Sequence, residues 1–259
     1  MSADHPRYGR RMMGQSRVAR NADVDWDAWP VEEYLQENYA ELHAADRAVI
    51  AHHSAALAGL APGSIDRGVE IGAGPNLYPL MLTGAACRAV DAFEPSAANL
   101  AYLRRQLQDG PDAHWAEFFA HCREANPQLP SSMETVLARI RVVRGGVLDV
   151  GAGKYGLASM NFVAESVTES AAEFRQFCEA FISAVRPGGV LVASFMENMA
   201  RYRIAGGQEW PGHPVDSATV ADVFSPHVIE LEVSRIPADP GLPDWGYTGM
   251  VLLSARRAG

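Results

Sequence analysis

Short apolar runs alternate with segments of helical periodicity along most of the chain. The runs predict strands at 67–71, 88–93, 141–143, 158–163 and 190–194. Between them, apolar residues recur three and four positions apart, the spacing of one helix face. Two last runs, 228–236 and 247–256, are joined by a connection too short for a helical crossover. The pattern predicts an α/β fold in which parallel strand–helix units end in an antiparallel pair.

The N-terminal part divides into a polar tail and a helical region. Residues 1–30 are predicted to form a flexible tail, with a tail that orders over a bound ligand as the alternative. Arg10 and Arg11 are not followed by the apolar stretch of a twin-arginine export signal. Helical periodicity over 31–60 predicts a helical cap on a single domain, 31–259. In this helical cap, His52 and His53 have no third metal-ligating residue nearby and are predicted to be surface histidines.

Composition narrows the class of protein and partner. The chain has 259 residues, of which 48% are hydrophobic and 20% charged, as in a globular domain with a full core. Three widely spaced cysteines without a CxxC pair favour a cytoplasmic protein with no metal site. A formal net charge of −9 argues against nucleic acid, and no apolar run is long enough for a membrane span. We expect a monomer or a weak homodimer.

A glycine turn after the first predicted strand is the main candidate for ligand binding. Glu70 lies near the end of that strand, and Gly72 and Gly74 follow it. Glycines at such a corner allow a sharp turn and close approach of a ligand to main-chain N–H groups. Leu77 occupies the position of the third glycine of a dinucleotide-binding motif. The turn therefore favours a nucleoside ligand without a pyrophosphate, or a purely structural corner.

Glu94 strengthens the ligand interpretation. It follows the second predicted strand and lies 22 positions after Gly72. In doubly wound folds an acid at this distance hydrogen-bonds ribose hydroxyls, and a carboxylate can accept from both hydroxyls of a cis-diol. The alternative is an acid that caps the helix predicted over 97–107.

A second glycine-rich passage at 147–153 resembles the first turn. Only 106 residues follow Gly153, too few for another complete doubly wound domain, and the residue 22 positions beyond Gly151 is Glu173, within a helical pattern. We interpret 145–156 as a loop after the third strand that could cover one face of an adenine.

The order of elements resembles the class I S-adenosylmethionine-dependent methyltransferases. The segments 33–39 and 71–78, Asn99-Leu100 and the Tyr202 segment narrow the resemblance to the nicotinamide/phenylethanolamine/thioether methyltransferase family. The match extends from about residue 30 to the C-terminus. It implies a Rossmann-like, seven-stranded, mostly parallel sheet with an antiparallel C-terminal hairpin and an N-terminal helical lid.

The resemblance also implies a set of cofactor contacts. Tyr34 and Tyr39 would close over the methionine end of the cofactor. Glu94 would hold the ribose hydroxyls, and Asn99 would support the ribose end. The expected cofactor-binding residues are Tyr34, Tyr39, Glu70, Gly72, Gly74, Pro75, Tyr78, Glu94, Asn99, Gly146, Val147 and Asn161. The family commonly has Asp-Val where this chain has Gly146-Val147. Asp149, or main chain and water, is then left to meet the adenine.

The expected activity is transfer of a methyl group from S-adenosylmethionine to a small molecule, with S-adenosylhomocysteine as product. The acceptor would be an amine, an N-heteroaromatic or an electron-rich aromatic such as an indole. Glu165 is the first candidate for a base or an amine-orienting acid, or else a carboxylate at a helix start; Tyr202 is a weaker candidate. The alternatives are a cyclase or aminocarboxypropyl transferase releasing methylthioadenosine, and a silent cofactor-binding partner.

Overall fold

A seven-stranded sheet forms the centre of the molecule in a computed structural model that describes residues 18–259. Its strand order is β3-β2-β1-β4-β5-β9-β8, with β1 to β5 mutually parallel and β9 antiparallel to both β5 and β8. The strands are β1 Ile65–Ile71, β2 Cys87–Glu94, β3 Ile140–Arg144, β4 Tyr155–Asn161, β5 Val185–Glu197, β8 Val228–Pro237 and β9 Gly249–Arg257; β6 Tyr202–Arg203 and β7 Glu209–Trp210 form a separate pair. The predicted fold is confirmed. The reversal of strand order between β2-β1 and β4 opens a crevice at the carboxyl ends of β1 and β4, where open α/β sheets bind ligands.

Eight α-helices are described on the two faces of the sheet. They are α1 Val31–Asn38, α2 Ala44–Leu57, α3 Tyr78–Ala86, α4 Ala97–Gln108, α5 Trp115–Ala125, α6 Met133–Leu137, α7 Ala171–Ala184 and α8 Ser217–Phe224. One apolar cluster packs α2, α3 and α5 against one side, and a second packs α7 and α8 against the other. Only the serine half of the capping box predicted at the start of α7 forms. Ser170 Oγ accepts a hydrogen bond from Glu173 N, but Ser170 N donates to Thr168 Oγ1, and Glu173 Oε2 accepts from Thr168 Oγ1 and Asn21 N instead. Buried faces on both sides explain why the central strands read as continuous apolar runs.

The predicted strand limits differ most at β4 and β5. β4 begins three residues earlier than predicted and ends at Asn161, and β5 extends from Val185 to Glu197. The pairing of β4 with β5 is irregular between Tyr155 and Leu157. This irregularity accommodates Pro187 and the two glycines after it, so β5 continues where the sequence suggested a turn. Asn161 is therefore the last residue of β4 and lies at the carboxyl edge of the sheet.

Residues 18–30 form a strap that lies against the domain through two 3-10 turns, Asn21–Asp23 and Trp26–Ala28. Ala19 N donates to Glu169 Oε2 at 2.7 Å, and Asp27 Oδ1 accepts from Ala97 N at 2.6 Å. The strap thus connects the segment before α7 to the first residue of α4. This order differs from the flexible tail predicted over 1–30, of which residues 1–17, with the arginine pair, lie outside the described residues.

No helix within residues 18–259 has the length and apolar content needed to cross a membrane.

Candidate functional site

A large cavity opens at the carboxyl edge of the sheet, between the ends of β1, β2 and β4 and the strap. It encloses about 1330 Å³ of empty space, including solvent at its mouth. Eleven of the twelve predicted cofactor-binding residues line it: Tyr34, Tyr39, Glu70, Gly72, Gly74, Pro75, Glu94, Asn99, Gly146, Val147 and Asn161. The structure therefore brings together most of the residues that the resemblance implies as cofactor contacts.

The glycine turn forms the floor of this cavity. Gly72 has a φ of +66° and Gly74 a φ of +54°, conformations that side chains with a Cβ rarely adopt. A Cβ on Gly72 would lie 2.6 Å from Val163 Cγ2, so this glycine also permits close packing of the turn against the segment after β4. At Gly74 a Cβ would meet nothing within 4 Å, and the conformation alone favours glycine.

Glu94 is the best-connected acid in the cavity wall. Its Oε2 accepts from Gly74 N at 2.8 Å, and its Oε1 accepts from Ser96 N at 2.8 Å and from Asn99 Nδ2 at 3.2 Å. Burial raises the pKa of this carboxyl, and the three donors oppose that shift. Asn99 Oδ1 has no hydrogen-bond partner within residues 18–259, which leaves one buried acceptor beside the carboxylate.

Glu70 and Asn161 form a second polar group, at the ends of β1 and β4. Asn161 Nδ2 donates to Glu70 Oε1 at 3.0 Å, while Glu70 Oε2 has no partner in the described part of the chain. Burial raises the pKa of Glu70 to about 7. A buried carboxylate with an unused oxygen in a cavity wall indicates a place for a donor or a cation from a ligand.

The two predicted tyrosines meet at the helical side of the cavity. Tyr34 lies on α1 and Tyr39 follows its last residue, so the break between α1 and α2 brings their hydroxyl oxygens to 3.5 Å. Asn76 Nδ2 donates to Tyr39 Oη at 2.9 Å and joins this pair to the glycine turn. The sequence placed the two rings on different faces of one helix; the chain direction changes after Asn38, and both rings line the cavity.

Further aromatic rings surround Tyr34 and enclose the part of the cavity that we call the aromatic end. Trp29 on the strap and Trp245 on the loop between β8 and β9 lie 5.2 Å and 6.4 Å from the Tyr34 ring. The Tyr202 ring lies 5.3 Å from Trp245, and its hydroxyl donates to Ser166 O at 3.2 Å. The two tryptophans were missed because they belong to a predicted tail and a Pro/Gly-rich loop. Their only sequence signal is the presence of large apolar rings in otherwise polar connections.

Three predicted positions lie outside the cavity wall. The Tyr78 ring stacks on Phe118 with centroids 5.8 Å apart, because the first turn of α3 directs it toward α5. Glu165 is fully buried behind the wall, where its Oε1 accepts from Met196 N at 2.9 Å, so its carboxyl does not contact the cavity. Asp149 turns back to accept from Gly146 N at 2.7 Å. Gly146 and Val147, not Asp149, therefore line the cavity.

His53 corrects a further prediction. It is 1% exposed rather than a surface residue, and its Nε2 lies 2.8 Å from Asn161 Oδ1. Burial lowers its pKa to about 3, so the ring is neutral at ordinary pH.

The charges around the cavity are of one sign. Three carboxylates line it (Asp46, Glu70 and Glu94), and among the described lining residues there is no lysine, arginine or histidine. Eight aromatic residues complete the wall: Trp26, Trp29, Tyr34, Tyr39, Phe162, Tyr202, Trp245 and Tyr247. Negative charge and ring faces together favour cationic groups over anionic ones.

The buried acids predict that the ligand-free protein becomes more stable as the pH falls from 8 to 6.5. Burial raises the pKa of Asp46, Glu70 and Glu165 to about 7, above the unfolded values near 4, so the folded state takes up protons in this range. Linkage gives about 1 kcal/mol for each group. The comparison ends at pH 6.5 because the neutral His53 increasingly opposes the effect as the unfolded state takes up its proton near and below that pH. Thermal unfolding at the two pH values measures the effect, and Glu165→Gln should reduce it by about one third. An equal or lower melting temperature at pH 6.5 would contradict the prediction.

Solved structures with the same architecture include methyltransferases and complexes with S-adenosyl ligands. The N-methyltransferase NodS from Bradyrhizobium japonicum, solved with S-adenosyl-L-homocysteine, aligns with a TM-score of 0.54 at 14% identity over 90% of this chain and 94% of that one. The DhpI-SAM-HEP complex gives 0.52 at 15% identity over 82% and 86%. The CurJ carbon methyltransferase gives 0.56 at 13% identity over 92% and 62%. At these identities the likeness establishes the fold.

Sequence comparison supplies the family. A comparison with curated proteins found no match. The model of the NNMT/PNMT/TEMT family matches residues 21–258, nearly the whole described chain, and confirms the resemblance inferred from the sequence motifs. The chain therefore belongs to the NNMT/PNMT/TEMT family and is an S-adenosylmethionine-dependent methyltransferase.

Proposed function

We propose that the protein methylates a nitrogen, or an electron-rich ring carbon, of a small flat acceptor that carries no negative charge. The observation that supports this acceptor class is the cavity wall, which combines three carboxylates with eight aromatic residues and, within the described chain, has no cationic side chain. An anionic acceptor would lack a partner and be repelled. A neutral ring or a cation would be stabilised by ring faces.

The residues at the sheet edge fit the cofactor. S-adenosylmethionine presents ribose hydroxyls and an ammonium group, and the cavity presents oxygen atoms that can accept from both. Glu94 and the free Asn99 Oδ1 lie at the end of β2, and the free Glu70 Oε2 lies at the end of β1. We assign the ribose hydroxyls to Glu94 and Asn99, and the ammonium group to Glu70.

The remaining predicted contacts take supporting roles in this proposal. Gly72 and Gly74 admit the ligand against the main chain, and Val147 offers an apolar contact for the adenine. The Asp149 carboxylate accepts from Gly146 N and does not line the cavity, so in this proposal the adenine amino group has no carboxylate partner from this loop. Tyr34 and Tyr39 separate the cofactor side of the cavity from the aromatic end.

The chemistry asks for orientation more than for proton transfer. When bound, S-adenosylmethionine supplies an electrophilic methyl group. Trp29, Tyr34, Tyr202 and Trp245 hold the acceptor plane and exclude water, and well-oriented approach contributes roughly 7–11 kcal/mol to lowering a barrier. Glu165 lies behind Ser166 and Met196, so no role as a base is assigned to it. The acceptor atom must therefore bring its own available electron pair.

Paired acceptors test this proposal directly. We expect S-adenosylhomocysteine to form with uncharged or cationic compounds such as pyridines, arylamines and tryptamine. Their carboxylated counterparts, pyridine-3-carboxylate and tryptophan, should give kcat/KM values at least about tenfold lower, because repulsion of roughly 1.4 kcal/mol corresponds to tenfold. Mass spectrometry of the spent cofactor identifies the product.

Two outcomes would overturn the proposal. Methylthioadenosine as the product would indicate transfer of another group, and equal rates for both members of each pair would remove the charge argument. As a control, Trp245→Ala should raise the acceptor KM about fivefold and change the affinity for S-adenosylmethionine less than threefold, since one aromatic contact is worth about 1 kcal/mol.

A further inference from the structure

A chain of four polar side chains runs from α2 to the carboxyl group of Glu70, where it ends at Oε1. His52 Nδ1 lies 3.2 Å from His53 Nδ1, His53 Nε2 lies 2.8 Å from Asn161 Oδ1, and Asn161 Nδ2 lies 3.0 Å from Glu70 Oε1. His53 is the only histidine on the buried face of α2, which is otherwise mainly apolar. Burying an imidazole there is unfavourable unless its hydrogen bonds are used.

The partners of Asn161 settle the direction of every hydrogen bond in the chain. Its Nδ2 faces two acceptors, Glu70 Oε1 and Ser159 Oγ, so the opposite atom is the amide oxygen. That oxygen accepts from Ser194 Oγ at 2.9 Å, and His53 Nε2 must then carry a proton and donate as well. Since His53 is neutral, its Nδ1 is an acceptor for His52. All donors point toward Glu70.

A turned amide would have a direct effect on the cavity. If Asn161 rotated by half a turn, its oxygen would face the Glu70 carboxylate, and the two acceptors would repel each other. His53 and Ser194 oppose that rotation because the amide oxygen accepts from both, and both hydrogen bonds would have to be broken or reversed. The hydrogen bond from Asn161 keeps Glu70 Oε1 occupied and leaves Oε2 for a ligand.

We propose that His53 is a positioning residue that fixes the Asn161 amide and thereby aims the free oxygen of Glu70 at the ammonium group of the cofactor. The assignment rests on the proposed function, since it needs the methionine end of the cofactor beside Glu70. His53 itself does not line the cavity. The proposed effect of His53 is confined to the methionine end of the cofactor.

Two adenosine ligands separate this role from a general effect on the fold. S-adenosylhomocysteine carries the ammonium group, and 5′-methylthioadenosine lacks it while keeping the adenine and ribose. By calorimetry, His53→Leu should weaken the binding of S-adenosylhomocysteine about tenfold and leave that of methylthioadenosine within twofold. His53→Gln keeps a side-chain N–H donor and should bring the first value back to within threefold of the wild type.

The controls keep the test decisive. Ile50→Val changes the same buried face of α2 without a polar link and should leave both affinities unchanged. Ser194→Ala removes the other donor to the Asn161 oxygen and should weaken only S-adenosylhomocysteine, by about threefold, so the proposal is still tested if His53→Leu fails to fold.

The possible outcomes are distinguishable. Equal losses for the two ligands, or no loss for either in folded His53→Leu, would remove the positioning role while the proposed function stands. A wild-type protein that binds neither ligand would remove the proposed function, and this role with it. Nitrogen chemical shifts of labelled histidine give a ligand-free reading, in which His53 should be protonated at Nε2; protonation at Nδ1 would contradict the proposed direction of the chain.

Discussion

Replacing Glu94 by alanine should weaken the binding of S-adenosylhomocysteine by about 100-fold or more. The variant loses the carboxylate proposed to accept from the ribose hydroxyls, and it also frees Gly74 N and Asn99 Nδ2 from the partner that holds the turn. Hydrogen bonds to a charged group contribute about 1.5–3 kcal/mol each, so the loss of two accounts for at least this factor. Calorimetric titration of the folded variant measures it.

Asp91→Asn is the matched control for this result. Asp91 is a buried acid on the same strand, but its partners are Arg67, Arg141 and Tyr155, and it lies away from the cavity. We expect a lower melting temperature, because hydrogen bonds to a buried charge are weakened, and an affinity within about threefold of the wild type. If both variants lost affinity to the same extent, the role of Glu94 would be structural only.

Gly72→Ala should lower the free energy of unfolding by about 2–5 kcal/mol. A φ of +66° costs a residue with a Cβ roughly 1–2 kcal/mol, and the 2.6 Å approach to Val163 Cγ2 adds an overpacking cost of about 1–3 kcal/mol. Chemical denaturation measures the change. Because the turn is the cavity floor, the affinity for S-adenosylhomocysteine should fall in the same variant.

Second substitutions separate the two costs at Gly72. Val163→Ala removes the clashing methyl groups and, combined with Gly72→Ala, should restore the packing part but not the conformational part. Gly59→Ala is the control, since Gly59 has no atom within 4 Å of an added Cβ and no positive φ, and it should change the stability by less than about 1 kcal/mol. A Gly72→Ala variant as stable as wild type would show that the turn relaxes freely.

Residue spacing predicted the part of the site that is built on the sheet. The interval between Gly72 and Glu94 is set by one strand–helix–strand unit, so it carries three-dimensional information within a short stretch. Trp29 and Trp245 come from segments more than 200 positions apart, and nothing local indicates that they meet. The prediction of His53 as a surface residue was wrong for a related reason: its hydrogen-bond partner, Asn161, lies 108 positions further along the chain.

Tyr78 and Glu165 show a second limit. A motif fixes where the main chain passes, whereas the side chain turns to whichever neighbour offers the better contact. The Tyr78 ring stacks on Phe118, and the Glu165 carboxyl accepts a hydrogen bond from Met196 N. Both positions stand beside the cavity, and both side chains face away from it.

The two halves of the cavity have different origins, which bears on how the protein can evolve. The proposed cofactor contacts are at the ends of core strands, where a change also disturbs the sheet. The aromatic end is formed mainly by the strap and the loop between β8 and β9, which tolerate substitution at a lower cost in stability. Descendants of this chain can therefore acquire new acceptors by exchanging Trp29 and Trp245, while inheriting the cofactor half unchanged.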